Sequence, residues 1–225
     1  MQLYIGNKNY SSWSLRPWLL MRHTGIPFEE VRLRFDRSPD SHFNRTIAAI
    51  SPAGRVPVLV DEGFAVWVTL AIAEYLAEKY PAKSLWPAAP LARARARSLC
   101  AEMHSGLGAL RNAFGMNIEA SMGEIGRKVL AEQPEAARDL ARIVDMWERQ
   151  FRENGGPFLF GAFSIADAFF APVCTRIRTY ELPVSAPVAA YVERTFALPA
   201  MQAWVNDALA EHDFIEFDEP YRTAR

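Results

Sequence analysis

A serine-rich segment at residues 10–16, Tyr-Ser-Ser-Trp-Ser-Leu-Arg, carries the side chains best suited to chemistry near the N-terminus. It lies between a short apolar run at 2–5 and a stretch with apolar residues at helical spacing, so we predict that it joins a strand to the start of a helix. Backbone amides at a helix N-terminus favour a bound anion. A thiol has a pKa of about 8.5, and a serine hydroxyl that donates to the sulfur would stabilise the thiolate. Ser11, Ser12 and Ser14 are equally consistent with plain helix capping.

A second segment, residues 55–58 (Arg-Val-Pro-Val), contains a proline that leads into a predicted strand. Because Pro57 has no N–H to donate to a sheet, this position indicates either a sheet edge or a special backbone conformation. A cis bond between Val56 and Pro57 would turn the amide and carbonyl groups of Val56 toward solvent, where they could pair with an extended bound peptide. An ordinary trans proline is the alternative.

A third segment, residues 164–167 (Ser-Ile-Ala-Asp), has the layout of a capping box at the start of an apolar helix. The hydroxyl of Ser164 would accept the third amide of the helix, while the carboxylate of Asp167 would return to the amide of Ser164. A cap of this kind stabilises a helix start by about 1 kcal/mol. We therefore interpret Ser164 and Asp167 as structural residues and not as catalytic ones.

Hydrophobic periodicity divides the chain into a mixed part and a helical part. Predicted strands at 2–5, 28–35, 56–60 and 64–67 alternate with helices in the order β-α-β-α-β-β-α. Residues 81–90 contain three prolines and are interpreted as a linker. Helical stretches follow at 91–118, 134–151, 165–178, 187–196 and 199–211. The sequence therefore predicts an α+β domain at 1–81 and an all-helical bundle domain at 90–225.

Composition and charge exclude several classes of protein. The chain has 25 basic and 26 acidic residues, and a net charge of −1 argues against a nucleic-acid partner. No apolar run approaches the ~20 residues that span a bilayer, and the N-terminus lacks a signal-peptide layout, so we predict a cytoplasmic protein without a membrane partner. Cys100 and Cys174 are predicted to be buried, reduced thiols. The four histidines show no metal-ligand spacing, and we predict no metal site.

Together these segments resemble the cytosolic glutathione S-transferases over residues 3–209. The serine segment is similar to the Ser-Ser-x-x-x-Arg pattern of the zeta class, with Trp13 where that class has a cysteine. Residues 52–59, Pro-Ala-Gly-Arg-Val-Pro-Val-Leu, resemble the family signature Asn-Pro-x-Gly-Lys-Val-Pro-Val-Leu. Residues 69–76, Thr-Leu-Ala-Ile-Ala-Glu-Tyr-Leu, resemble the stretch Glu/Asp-Ser-x-Ala-Ile-x-x-Tyr-Leu, and the capping box matches the element before the family's central helix. The resemblance implies a thioredoxin-like first domain and a homodimer.

The resemblance also implies which residues would handle glutathione as the co-substrate. Ser11 is the first candidate to activate the thiol, and Ser12 is the second. The backbone of Val56 would pair with the cysteinyl part of glutathione, with Pro57 in the cis form. Thr69 replaces the serine whose hydroxyl and helix-start amide hold the γ-glutamyl carboxylate.

Two neighbouring positions differ from the family pattern. Arg55 occupies the usual lysine or glutamine position, from which it would either reach the glycine carboxylate or point into solvent. Val68 stands where the family has an acidic residue or glutamine that contacts the γ-glutamyl amine, and valine cannot accept a hydrogen bond. Loss of a charge-assisted hydrogen bond costs about 1.5–3 kcal/mol, or roughly ten- to a hundred-fold in affinity. We therefore predict that Val68 weakens glutathione binding.

The resemblance places a pocket for an electrophilic substrate between the domains, with Trp13, Met103, His104 and Phe114 as lining residues. The leading interpretation is a transferase that conjugates glutathione to a small hydrophobic electrophile. One alternative is glutathione-dependent cis–trans isomerisation of the maleylacetoacetate isomerase type, which the serine segment supports and Trp13 opposes. The other is a non-catalytic binding or interaction protein, which Val68 favours.

Overall fold

The N-terminal part of the chain forms a four-stranded mixed sheet in the computed structural model, which describes residues 1–225. β1 (Gln2–Ile5) is parallel to β2 (Glu29–Arg32) and antiparallel to β3 (Val58–Asp61), which pairs in turn with antiparallel β4 (Phe64–Trp67). Three helices complete this part: α1 (Ser12–Thr24), α2 (His42–Ile50) and α3 (Thr69–Lys79). The order β-α-β-α-β-β-α and the thioredoxin-like class are therefore confirmed.

Alternating side chains of the central strands bury both faces of this sheet. Leu3, Ile5 and Leu59 join the main core together with α1 and α3, whereas Val58 packs in a separate small cluster with Ile47 of α2. Successive side chains of a strand point to opposite faces, so α2 covers one face and the other two helices cover the opposite one. This arrangement fixes the start of α1 and the start of α3 at one end of the sheet.

The rest of the chain is helical, which confirms the predicted second part. Its seven helices are α4 (Pro90–Ser105), α5 (Gly108–Ala113), α6 (Gly123–Glu132), α7 (Pro134–Asn154), α8 (Ile165–Thr179), α9 (Ala186–Ala197) and α10 (Pro199–Ala210). Every residue of α8 except Arg178 is buried, and α8 packs against α1 of the first domain. The domain limits 1–81 and 90–225 stay a prediction. Each helix is too short or too polar to span a lipid bilayer.

Three elements differ from the sequence prediction. The helical stretch predicted at 91–118 is divided at one of its three glycines, Gly106: α4 ends at Ser105, and the chain passes through Leu107 at a φ of 53° before α5 begins. A Cβ atom at Gly106 would lie 3.0 Å from the carbonyl oxygen of Glu102, so glycine suits this break. β2 is shorter than predicted, and α6 was not predicted at all.

The carboxylate of Asp167 organises the start of α8. Its Oδ2 accepts the backbone amide of Ser164 at 2.9 Å, and its Oδ1 accepts the amide of Leu159 and the hydroxyl of Tyr191, each at 3.0 Å. The Ser164 hydroxyl donates to Oδ2 at 3.1 Å. Asp167 is completely buried, and burial raises its pKa to about 6, so the carboxyl is ionised and purely an acceptor at neutral pH.

Candidate functional site

Two adjoining cavities open at the end of the sheet where α1 and α3 begin. The smaller cavity, of about 330 Å³, is bounded by the Val56–Pro57 segment, the end of β4 and the start of α3. The larger cavity, of about 710 Å³, extends between the starts of α1 and α2, helices α5 and α8, and the segment after α10 that contains Phe217 and Asp218. Three residues line both cavities: Trp13, Arg55 and Val56.

The smaller cavity presents free backbone groups beside a cis peptide bond. The bond between Val56 and Pro57 is cis, as the resemblance implied. Val56 lies outside every strand and helix, and its backbone groups take part in none of the turn or loop hydrogen bonds. The edge before β3 therefore offers a donor and an acceptor to an extended ligand. Arg55 is exposed beside it and lines the same cavity.

The start of α3 supplies a site for an anion in this cavity. Thr69, the first residue of the helix, is buried, and its Oγ1 has no hydrogen-bond partner. Val68 is the N-cap residue and its side chain cannot cap the first amides, so the helix start beside the cavity has no side-chain cap. The backbone of Val68 has a φ of 70°, a region that β-branched residues avoid. The orphaned hydroxyl and the first amides of the helix together suit a carboxylate.

The indole of Trp13 lines both cavities and has two guanidinium groups and one imidazole beside it. The guanidinium of Arg16 lies 4.1 Å from its ring centroid, that of Arg111 lies 5.7 Å away, and His104 meets it edge-on at 5.1 Å. Arg16 is buried with Nε and Nη1 unpaired, and burial lowers its pKa to about 9. Burial, with Arg16 and Arg111, also lowers the pKa of His104, so its imidazole is neutral at pH 7.

The predicted nucleophile-activating serines lie at the start of α1 and line the larger cavity. Ser12 is the first residue of α1, and Ser11 precedes it as the N-cap. The hydroxyl of Ser11 donates to Oγ of Ser14 at 2.7 Å, and the amide of Gly6 donates to that same oxygen at 3.2 Å. A hydroxyl rotates to suit its partners, so the Ser11–Ser14 bond can reverse direction and free the Ser11 proton for a ligand in the cavity.

The four residues predicted to line the electrophile pocket separate into two pairs. Trp13 and His104 line the smaller cavity. Met103 and Phe114 are instead completely buried in the core and lie outside both cavity walls, which corrects the prediction. Met103 continues the buried stripe of α4, and Phe114 packs against Tyr180 with a centroid distance of 5.0 Å.

Arginines dominate the wall of the larger cavity, and sequence reasoning missed most of them. Arg176 is buried, donating from Nε to the carbonyl of Phe114 at 2.6 Å and from Nη1 to that of Pro172 at 2.9 Å. Its position in an otherwise apolar helix was the available signal, because charged residues are rarely buried without a reason. The wall contains four arginines and two acids: Arg37, Arg55, Arg111, Arg176, Asp36 and Asp218.

Comparison with known proteins places the chain in a family. Residues 10–79 match the model described as "Glutathione S-transferase, N-terminal domain", and residues 130–207 match its C-terminal counterpart. The two models belong to one family and together cover more than half of the chain. The fold and both matches define a glutathione S-transferase-type enzyme, and the chain belongs to the glutathione S-transferase family, as the motifs indicated.

Individual relatives agree with this assignment. The chain is 34% identical to a maleylacetoacetate isomerase of Pseudomonas aeruginosa over 124 residues, which span 55% of this chain and 58% of that protein. It is 25% identical to a maleylacetoacetate isomerase of Rattus norvegicus over 90% of this chain and 89% of the relative. Among solved structures, a glutathione transferase homologue from Burkholderia GL BGR1 with bound glutathione matches 93% of this chain and 98% of its own, with a TM-score of 0.69 and 26% identity.

Proposed function

We propose that the smaller cavity binds glutathione in an extended form. In this proposal the backbone of Val56 pairs with the cysteinyl residue, and the start of α3 with Thr69 holds the γ-glutamyl carboxylate. Arg55 lines the same cavity, where its guanidinium would pair with the glycine carboxylate. The thiol then lies toward the larger cavity, where Ser11 and Ser12 stabilise the thiolate. The orphaned hydroxyl of Thr69 and the free Val56 backbone support this placement.

We further propose that the electrophile in the larger cavity is a small unsaturated carboxylic acid. The observation that carries this proposal is the set of four arginines in the cavity wall. With only two acids opposing them, the wall is cationic and favours an anionic substrate, because guanidinium groups bind carboxylates through paired hydrogen bonds. The sequence alone led us to expect a hydrophobic electrophile. The cationic wall of the cavity instead favours an electrophile that carries a carboxylate.

The reaction best suited to such a substrate is cis–trans isomerisation. The thiolate forms a bond to one carbon of a double bond conjugated to a carbonyl, and the electron pair moves onto the carbonyl oxygen as an enolate. Rotation about the resulting single bond and return of the electron pair expel the thiolate and leave the trans product. Protons and glutathione are conserved over this cycle. The names of two similar relatives, both maleylacetoacetate isomerases, support this choice.

Conjugation is the second candidate, and the aromatic part of the larger cavity favours it. Phe35, Phe43 and Phe217 also line this cavity and suit an apolar electrophile, although Arg37 lies 4.0 Å from the ring centroid of Phe217. Conjugation begins with the same attack by the thiolate but ends with glutathione bonded to the product. Trp13 stands where zeta-class sequences have a cysteine, and this difference also favours conjugation over isomerisation.

One pair of assays tests these proposals. The protein is incubated with glutathione and either a maleyl-type diacid or a neutral aryl halide, and the products are separated by mass and by isomer. A trans diacid without net consumption of glutathione supports the isomerase. A glutathione adduct of the aryl halide alone supports the conjugating enzyme. Glutathione binding without either product would support a non-catalytic member of the family.

The arginine wall predicts a charge-selective effect of substitution at Arg111. Arg111→Met should raise the KM for a diacid by roughly ten- to a hundred-fold, because a charge-assisted hydrogen bond contributes about 1.5–3 kcal/mol. The KM for a neutral aryl halide should change little. Steady-state kinetics with both substrates measure the difference, and Arg95→Met, on the exposed face of α4, is the matched control. Equal effects on both substrates would indicate a packing defect and would argue against carboxylate recognition.

We expect substitution of Val68 by an acidic residue to increase the affinity for glutathione. Val68→Asp should tighten glutathione binding by about ten- to a hundred-fold, because the new carboxylate can pair with the γ-glutamyl ammonium. Aspartate also tolerates a positive φ better than valine does. Isothermal titration calorimetry with glutathione measures the change. If the wild type binds glutathione and the substitution does not tighten binding, the γ-glutamyl group does not bind at the start of α3.

We also propose a homodimer, as the resemblance implied. Phe64 of β4 and Leu91 of α4 expose 68% and 86% of their surfaces, and burying this apolar area against a second copy of the chain would be favourable. Light scattering after size-exclusion chromatography measures the mass directly.

A further inference from the structure

An exposed indole lies beside the anion site at the start of α3. Trp67 is the last residue of β4, lines the smaller cavity together with Val68 and Thr69, and is 39% exposed. We propose that the ring of Trp67 holds the α-ammonium group of the glutathione γ-glutamyl residue by a cation–π contact. The inference rests on the proposed glutathione site and adds the residue that recognises its cationic group.

The position of the ammonium group follows from the chemistry of the ligand. The α-carboxylate and the α-ammonium of a γ-glutamyl residue are bonded to the same carbon atom. A carboxylate that is held by Thr69 and the first amides of α3 therefore brings the ammonium next to the residues that precede the helix. Those residues are Val68 and Trp67.

The smaller cavity contains no carboxylate that could receive this ammonium. Its only charged side chain is Arg55, and its only other titratable side chain is His104, whose imidazole is neutral at pH 7. A buried or half-buried ammonium needs a partner, since its desolvation is costly. Apart from uncharged hydrogen-bond acceptors such as the Thr69 hydroxyl and the His104 imidazole, the aromatic faces are the groups in this cavity that attract positive charge, because the ring quadrupole attracts a cation. Nine residues form the lining: Trp13, Ala53, Arg55, Val56, Pro57, Trp67, Val68, Thr69 and His104.

Of the two indoles in the lining, the geometry favours Trp67. The ring of Trp13 already has the guanidinium groups of Arg16 and Arg111 at 4.1 and 5.7 Å from its centroid, so a third cation there would be repelled. Trp67 stacks on no other aromatic ring and has no cation over its face. It pairs with Val58 across the β3–β4 ladder, which places it close to the Val56–Pro57 segment. Its exposed surface is therefore available to the ligand.

The experiment compares glutathione with its des-amino analogue, glutaryl-cysteinylglycine, by isothermal titration calorimetry. Wild-type protein should bind glutathione about three- to thirty-fold more tightly than the analogue, the range expected of a cation–π contact. Trp67→Leu should abolish this preference while leaving the affinity for the analogue nearly unchanged, which also shows that the variant is folded. Trp67→Phe should retain part of the preference. Leu209→Ala, at an exposed apolar position of α10 outside both cavities, is the matched control.

Each other outcome contradicts the inference in a recognisable way. A preference for glutathione that persists in Trp67→Leu would assign the ammonium to another group, such as an acid from a second copy of the chain. Equal wild-type affinity for both ligands would show that the ammonium is not recognised, while leaving the glutathione site intact. Failure of the wild type to bind either ligand would overturn the glutathione site and this inference together.

Discussion

Asp167→Ala is expected to lower the free energy of unfolding by about 3–5 kcal/mol. The substitution leaves four buried donors without their acceptor: the amides of Leu159 and Ser164 and the hydroxyls of Ser164 and Tyr191. Each unsatisfied buried donor costs about 1–3 kcal/mol. The total is smaller than the sum of these costs, because the protein partly relaxes into the space that the carboxylate leaves. The effect should be large because α8 is the central helix and packs against both domains.

Urea denaturation followed by far-ultraviolet circular dichroism measures this loss. Asp145→Ala is the matched control, because Asp145 is an exposed acid on α7 whose ion pair with Arg142 is long, at 3.5 Å. Such surface pairs contribute about 0–1 kcal/mol, so the control should leave stability almost unchanged. Asp167→Asn should lie between the two, since its amide oxygen can accept only part of the network. A loss at Asp167 no larger than that of the control would show that the buried carboxylate does not organise α8.

Local sequence signals were sufficient for most of the fold. Alternation identified the short strands, and Pro134 and Pro199 marked helix starts, which α7 and α10 confirm. The overlong prediction for β2 has a simple cause: the alternation continues past Arg32, but its neighbour β1 ends at Ile5, so the later residues have no strand to pair with.

The missed helix α6 illustrates what local signals cannot supply. Gly123 and Gly126 lie within it, and glycine disfavours a helix by about 1 kcal/mol relative to alanine. The structure places Gly126 so close to the backbone of Tyr180 that a Cβ atom would lie 1.9 Å from its carbonyl oxygen. Tertiary packing therefore selects glycine at a helical position where intrinsic propensity opposes it.

Some residues of the site can likewise be predicted from local sequence, whereas others are brought together only by folding. The Val56–Pro57 segment and Thr69 belong to contiguous motifs, so their types and spacing are visible in the sequence. Whether an apolar helix residue faces a cavity or the core depends on how two helices pack, and this is why Met103 was misplaced. Arg37 and Arg176 reach the same cavity from the two domains, a proximity that only the folded chain creates.

The serine segment predicts the largest effect on activity. Ser11→Ala should slow turnover by roughly ten- to a hundred-fold at pH 6.5–7, because a hydrogen bond to a charged group contributes about 1.5–3 kcal/mol. The physical cause is a rise in the pKa of the bound thiol toward about 8.5, the value of a free thiol. The deficit should therefore shrink as the pH rises above that value, where the thiolate forms without help. Thiolate absorbance of the glutathione complex and the pH dependence of kcat measure both quantities.

The hydrogen bonds of Ser14 indicate how the serine hydroxyls would be arranged around the thiolate. The amide of Gly6 donates to Ser14, and Ser14 and Ser11 are joined by a 2.7 Å hydrogen bond. In the thiolate complex Ser14 would donate to Ser11 and Ser11 to the sulfur, and successive hydrogen bonds in such a chain strengthen one another. Ser14→Ala should then produce a smaller rise in thiol pKa, in the same direction as Ser11→Ala, and Ser12→Ala should produce little. A larger effect at Ser12 than at Ser11 would make Ser12 the donor to the sulfur, and the Ser11–Ser14 pair would be a cap of α1 alone.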